Sequence, residues 1–153
     1  MDNLLSLVLG TFPSWSLLIV RLALGVVFVA HGGQKVFGWF GGPGLKATTQ
    51  TFQQYLKVPP AATVAAAFTE LLGGLAMILG LLARPAAVGL VIVMLTAIAK
   101  VHGQHGFFIN FSNTPGKGHG FEFNFVLIAI ALAILIAGAG ALSIDRLIWL
   151  RAD

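Results

Sequence analysis

Long apolar runs alternate with short polar segments along the whole chain. The runs cover about residues 17–39, 61–82, 86–102 and 121–142, and none has the alternation of a half-buried strand. A helix needs about 20 apolar residues to cross a bilayer, and only helices and closed barrels satisfy every backbone hydrogen bond there. The pattern therefore predicts an all-α fold, an integral membrane four-helix bundle that forms a single transmembrane domain over residues 1–153.

The segments outside these runs predict interfacial helices in the first loop and at the C-terminus. The first loop carries apolar residues that share one face of a short helix: Leu45, Phe52, Tyr55 and Leu56. Ser143 is a predicted N-cap for an amphipathic tail over 144–151. Residues 1–16 lack the basic start and clear cleavage site of a signal peptide, so we expect a retained interfacial segment.

Arginines mark the end of the bundle that carries the termini. Arg21 lies near the start of the first span and is expected to snorkel outwards to the headgroups. Ala83-Arg84-Pro85 is expected to form the tight turn between the second and third spans. An even number of spans places both termini on one side, and short arginine-bearing segments there favour the cytoplasm.

Composition agrees with a membrane protein and excludes several other classes. Hydrophobic residues make up 58% of the chain and charged residues 9%, against about 25% charged residues in soluble domains. The absence of cysteine excludes an iron–sulfur cluster and a covalently attached c-type haem within this chain. The net charge of +4 is spread along the ends of the apolar runs, so we expect a lipid bilayer as partner and no nucleic acid.

Ionisable residues within the predicted spans share one depth. Counting about 1.5 Å of rise per residue from the arginine-marked end places these residues in one layer at the opposite end: His31, Lys35, Glu70, Lys100, His102 and Glu122. Such groups are costly in a membrane, usually face the interior, and mark a function. We expect them to converge in one cluster. The alternative is a charge-paired plug that only fixes the register of the helices.

The sequence supports a metal or haem site less than it supports the polar cluster. His31 and His102 could in principle hold a haem b, but no further ligand pattern accompanies them. The pair His102 and His105 has no thiolate to complete a zinc site. We therefore expect no metal site. The loop histidines, His105 and His119, are expected to be solvated.

Several short motifs resemble the DoxX family of membrane proteins. They occur in order along the chain: RLALG at 21–25, HGGQKVFG at 31–38, FGGPGL at 40–45, ELLGG at 70–74, ARP at 83–85, KVH at 100–102, GFF at 106–108 and GFEFN at 120–124. The resemblance implies a four-helix protein of the bacterial or archaeal cytoplasmic (inner) membrane. It also implies a link to redox chemistry, because the family includes membrane subunits of thiosulfate:quinone oxidoreductase.

Two functions of different classes follow. The first is a membrane subunit of a quinone-linked oxidoreductase system, acting with another membrane or redox subunit or as a homo-oligomer. Its expected catalytic residues are Glu70, His31 and Glu122, and its expected ligand-binding residues are Lys35, Lys100, His102 and Gln34. The second is a non-enzymatic accessory or scaffold subunit. A small-solute transporter comes third, because no inverted repeat is evident. Under either of the first two functions, loops 41–60 and 103–120 are expected to cover the polar cluster.

Overall fold

The computed structural model describes residues 3–152 and contains helices but no strand within that range. The α-helices are α1 (Asn3–Leu9), α2 (Trp15–Phe37), α3 (Gly44–Leu56), α4 (Pro60–Leu79), α5 (Ala83–Ala97), α6 (Glu122–Ala137) and α7 (Ile144–Ala152). A π-helix, Ile98–His102, continues α5, and short 3-10 helices occupy Trp39–Gly41 and Gly103–His105. The all-α prediction is confirmed.

Three helical segments of the described residues are long and apolar enough to cross a membrane. They are Trp15–Phe37, Pro60–Leu79 and Ala83–His105. The fourth apolar helix, Glu122–Ala137, is shorter at 16 residues. The chain is therefore a multi-pass membrane protein by the length and composition of its helices.

Glycines let α2 and α4 approach each other closely, and this is the most extensive helix pair of the bundle. A Cβ atom on Gly74 of α4 would lie 2.6 Å from the backbone nitrogen of Val29 on α2. A Cβ on Gly25 of α2 would lie 2.8 Å from the Gly74 carbonyl oxygen. Small residues at such positions allow the backbone-to-backbone packing on which helix association in membranes depends. Helix α5 packs against α4, and α6 packs against α5.

The helix boundaries correct the prediction at two places. The turn between the second and third spans lies at residues 80–82, because Gly80 adopts a φ of 63° and ends α4. The segment Ala83-Arg84-Pro85 is instead the first turn of α5, where a proline costs no helical hydrogen bond. Helix α6 ends at Ala137 and does not continue to 142, because Gly138 takes a φ of 87°.

Arg21 does not snorkel outwards, so the expectation for this residue is wrong. Its side chain is fully buried, and its guanidinium donates to carbonyl oxygens at the ends of two segments: those of Met77, Ile78 (2.8 Å), Ala141 (3.3 Å) and Leu142 (3.2 Å). The last carbonyls of a helix have no partner within the helix, and a cation is favoured there. Arg21 thus supplies hydrogen-bond donors to backbone carbonyl oxygens, which lipid cannot do.

Asp145 provides hydrogen-bond acceptors for backbone N–H groups at the start of α5. Its carboxylate accepts hydrogen bonds from the backbone N–H groups of Leu82 (2.6 Å) and Ala83 (2.9 Å), which ties α7 to the bundle. Burial raises the pKa of this carboxyl, while these hydrogen bonds and the charge of Arg21 oppose the shift. The predicted N-cap is confirmed, because Ser143 Oγ accepts from the backbone N–H of Arg146 at 3.3 Å.

Replacing Arg21 is predicted to destabilise the protein strongly. Arg21→Met would remove the guanidinium that donates to buried carbonyl oxygens and one of the two positive charges that act on Asp145. Breaking a buried charged network typically costs about 3–5 kcal/mol, so we expect a large drop in the midpoint of thermal unfolding in detergent. Arg151→Met, an exposed arginine of α7, is the matched control and should leave the midpoint almost unchanged. Equal midpoints for both variants would contradict this role of Arg21.

Candidate functional site

A cavity of about 870 Å³ occupies the half of the bundle that lies away from the termini. Helices α2 to α6, the π-helix and the second loop all contribute to its wall. Most of the wall is apolar, and its apolar side chains include Val27, Phe28, Phe52, Ile92, Met94 and Leu127. Ligand sites in proteins typically have about this volume and this apolar character, with a few polar groups to fix orientation.

An ion pair between Lys35 and Glu70 forms part of this wall. Lys35 Nζ donates to Glu70 Oε2, which joins the last turn of α2 to the middle of α4. Glu70 is only 4% exposed, and its neighbours Gly73 and Gly74 are buried in the helix contacts. The Lys35–Glu70 pair is the one salt bridge among residues 3–152. The predicted meeting of Lys35 with Glu70 is therefore present.

His31, Lys100 and His102 line the same cavity. His31 lies one turn before Lys35 on α2 and is placed on the same face by this spacing. His102 Nδ1 lies 2.9 Å from the carbonyl oxygen of His119. This contact brings His119 of the second loop to the cavity wall as well.

The change of α5 into a π-helix places Lys100 and His102 at the cavity. The π-helix covers Ile98–His102, and single π turns within α-helices occur often at functional sites. Lys100 is exposed and has no ion pair or hydrogen bond within residues 3–152. Of the two lysines in the predicted cluster, only Lys35 forms an ion pair within the described residues.

Glu122 lies apart from the cavity and does not join the cluster. Its Oε2 accepts a hydrogen bond from the backbone N–H of Ile109 at 3.1 Å, which fastens the second loop to the start of α6. Residue 124, two positions on, faces the cavity instead: Asn124 is buried, and its side-chain amide lies 3.3 Å from Met94 Sδ. A spacing of two on a helix separates the directions of these two side chains by about 200°.

Gln34 lines a second, smaller cavity of about 370 Å³. This cavity lies between the end of α2 and the first loop with α3, and it shares His31, Lys35, Thr51 and Phe52 with the larger one. Gln34 is absent from the wall of the larger cavity. The structure thus separates the expected ligand-binding residues into two adjoining spaces.

Both long loops contribute to the wall of the larger cavity. Helix α3 of the first loop supplies Thr51, Phe52, Tyr55 and Leu56 to the wall. The second loop supplies Ile109 and His119. The expected helix in the first loop is present, although Tyr55 is 71% exposed. Sequence reasoning missed His119 and Asn124 as wall residues, because loop backbone geometry and the start of α6 place them there.

The described residues 3–152 contain no group of three or more His, Asp or Glu side chains placed to hold a metal ion. His31 and His102 both line the larger cavity, and haem b binding by them stays a prediction. The chemistry that the wall offers is hydrogen-bond donation by lysine and histidine, and proton exchange by histidine and glutamate.

Removing either partner of the ion pair is predicted to destabilise the protein more than removing both. Lys35→Met leaves a buried carboxylate without its partner, which typically costs about 3–5 kcal/mol. Glu70→Leu leaves an ammonium that is partly exposed, so its cost should be smaller. The double variant Lys35→Met/Glu70→Leu should regain most of the lost thermal stability in detergent. Lys46→Met, an exposed lysine of α3, is the control. Strict additivity of the two single effects would contradict an energetic coupling of the pair.

Comparison with known proteins places the chain in a family. The DoxX family profile matches residues 16–103, which include α2 to α5 and the π-helix with Lys35, Glu70 and Lys100. The comparison with curated proteins found no match. The comparison with solved structures found none either. Because the family match covers more than half of the chain and contains the ion pair and most of the cavity wall, the chain belongs to the DoxX family.

Proposed function

We propose that this DoxX-family protein is the membrane subunit of a quinone-linked oxidoreductase system and binds the quinone in its larger cavity. The observation that carries the proposal is the Lys35–Glu70 ion pair in the wall of an otherwise apolar cavity between membrane helices. A quinone combines two carbonyl acceptors with an apolar ring and tail. The wall offers the matching donors and apolar surface.

The proposal includes four membrane spans. Helix α6 has 16 residues and is about 24 Å long at 1.5 Å per residue, which is shorter than a hydrocarbon core of about 30 Å. The buried segment 138–141 continues from its end and completes the crossing. Its backbone finds partners in the protein, since Thr11 Oγ1 accepts from Gly140 N–H at 2.8 Å. Non-helical backbone at membrane depth is tolerated when protein buries it.

The proposed location is the cytoplasmic (inner) membrane of a bacterium or archaeon, with the termini in the cytoplasm. Arg84, Arg146 and Arg151 lie on the side of the termini, close to the ends of spans. Lysine and arginine within short segments at the ends of spans favour the cytoplasmic side. The interfacial helices α3 and α7 would then lie on opposite faces of the membrane.

Quinone binding would use donors at both ends of the cavity. Lys35 and His31 lie on α2, while Lys100 and His102 lie on the π-helix across the cavity. A ring between these two groups could receive a hydrogen bond at each carbonyl oxygen. Phe28, Met94 and Leu127 would pack against the ring and the start of the tail.

Glu70 is the proposed proton-exchanging group. Reduction of a quinone to a quinol takes up two electrons and two protons. In the proposed system, a partner redox subunit supplies the two electrons. Glu70 accepts a hydrogen bond from Lys35, and contact of this kind is the geometric requirement for proton transfer between two groups.

A second candidate is a non-enzymatic accessory subunit. The observation in its favour is the exposed apolar surface of α5 and α6, which includes Ile92, Leu95, Phe125, Leu132 and Ile136. Lipid covers such a surface as well as a protein does. The binding of a ligand in the cavity therefore decides between the two candidates.

Filling the cavity is predicted to abolish quinone binding. Ala66 of α4 lines the cavity, and Ala66→Phe would place a ring where the ligand ring is expected. We expect at least a tenfold loss of affinity for a short-chain quinone, measured by equilibrium binding to detergent-purified protein. Ala129→Phe, an exposed position of α6 outside the cavity wall, is the matched control and should bind normally. No saturable binding by the unaltered chain would instead favour the accessory subunit.

Glu70→Gln is predicted to separate stability from function. Glutamine keeps an acceptor for the Lys35 ammonium and the shape of the side chain, but it cannot carry a proton. We expect a folded protein with a modest fall in unfolding midpoint. Quinone reduction by membranes that contain the chain and its native partners should fall at least tenfold. Unaltered reduction by a well-folded Gln variant would show that Glu70 has only a structural role.

A further inference from the structure

The smaller cavity, which we term the vestibule, reaches the ion pair at Lys35, whereas Glu70 lines only the larger cavity. The vestibule is lined by Gln34, Pro43 and Thr48 together with the four residues that it shares with the larger cavity. Pro43 and Thr51 are exposed, so its mouth opens beside the first loop. This mouth lies at the end of the bundle away from the termini.

The vestibule is suited to hold water. Its volume of about 370 Å³ is many times the roughly 30 Å³ that a water molecule occupies in the liquid. Gln34, Lys35 and His31 offer polar partners within it. Thr48 is 2% exposed and donates to the carbonyl oxygen of Gly44 at 2.8 Å. A space of this size that connects to solvent and offers several polar partners can hold water.

The larger cavity instead opens towards lipid. Several of its wall residues on α4 and α5 are exposed within spanning helices: Ala62, Ala65, Ile92 and Thr96. The two helices are held together near their shared turn by small residues, since a Cβ on Gly73 would lie 3.0 Å from Leu90 Cδ2. Further from this turn, the larger cavity lies between α4 and α5. An apolar ligand can therefore enter from the bilayer without crossing the vestibule.

We propose that the vestibule is an aqueous proton route that connects the Lys35–Glu70 ion pair to the side of the membrane opposite the termini. His31 and Lys35 line both spaces and stand where the water-filled and the apolar space meet. The groups that face this junction are His31 and Lys35 on α2 and Glu70 on α4, with Lys100, His102 and His119 across the larger cavity. The use of the route in quinone chemistry rests on the function proposed above, but the route itself does not.

The absence of native cysteine allows a direct test with single-cysteine variants in oriented proteoliposomes. Gln34→Cys and His31→Cys probe the mouth and the inner end of the vestibule. Ser16→Cys, exposed at the start of α2, reports the opposite face. Ala65→Cys reports the lipid opening. A charged, membrane-impermeant methanethiosulfonate should modify Gln34→Cys and His31→Cys from the face opposite Ser16→Cys, and a lipid-soluble maleimide should be needed for Ala65→Cys.

Modification of His31→Cys only by the lipid-soluble reagent, or only from the face of Ser16→Cys, would overturn the proposal. A second arm sets the pH on each side of the membrane independently and measures affinity for a short-chain quinone. The affinity should follow the pH on the vestibule side, and dependence on the other side would also overturn the route. Labelling as expected without any quinone binding would support the vestibule while rejecting the proposed function.

Discussion

Buried polar groups in hydrocarbon must find partners within the protein, and this constraint organises the end of the bundle that carries the termini. The guanidinium of Arg21 supplies donors to carbonyls at the end of α4 and in the segment after α6. The carboxylate of Asp145 supplies acceptors to the start of α5. Arg84 adds donors to carbonyls of α1 and of the last turn of α6, including Leu7 at 2.6 Å and Ile136 at 3.1 Å. This end is consequently closed, because side chains of both signs satisfy the helix ends.

The half of the bundle away from the termini contains the larger cavity, while the end that carries the termini is closed. The apolar core, with Leu24, Met77, Leu90 and Ile134 fully buried, lies between the closed end and the cavity. Beyond it the helices separate around the cavity, and α3 with the second loop completes the wall. A bundle that is rigid at one end can present a ligand space at the other without losing its helix register. Under the proposals made above, this division would give lipid-soluble and aqueous species separate ways to reach the same ion pair.

The sequence predicted the helices well, because the long apolar runs and their glycine boundaries carry that information. It also grouped His31, Lys35, Glu70, Lys100 and His102 by helical rise, and all five line the larger cavity. It could not predict the burial of Arg21, because hydropathy does not reveal which carbonyls lack partners. The direction of Glu122 depends on the backbone of Ile109 in a loop, and the π-helix at Lys100 depends on packing. Such features arise from tertiary contacts that no periodicity encodes.

The position of the ion pair favours a functional role over a structural one. A buried pair contributes little net stability compared with apolar residues of similar volume, and its replacement by them is often neutral. Helix register is already set by the close contacts of Gly25 and Gly74, so α2 and α4 do not need Lys35 and Glu70 to align. The pair also lies in the wall of the cavity. A charge pair in the wall of a largely apolar cavity therefore supports the proposed function.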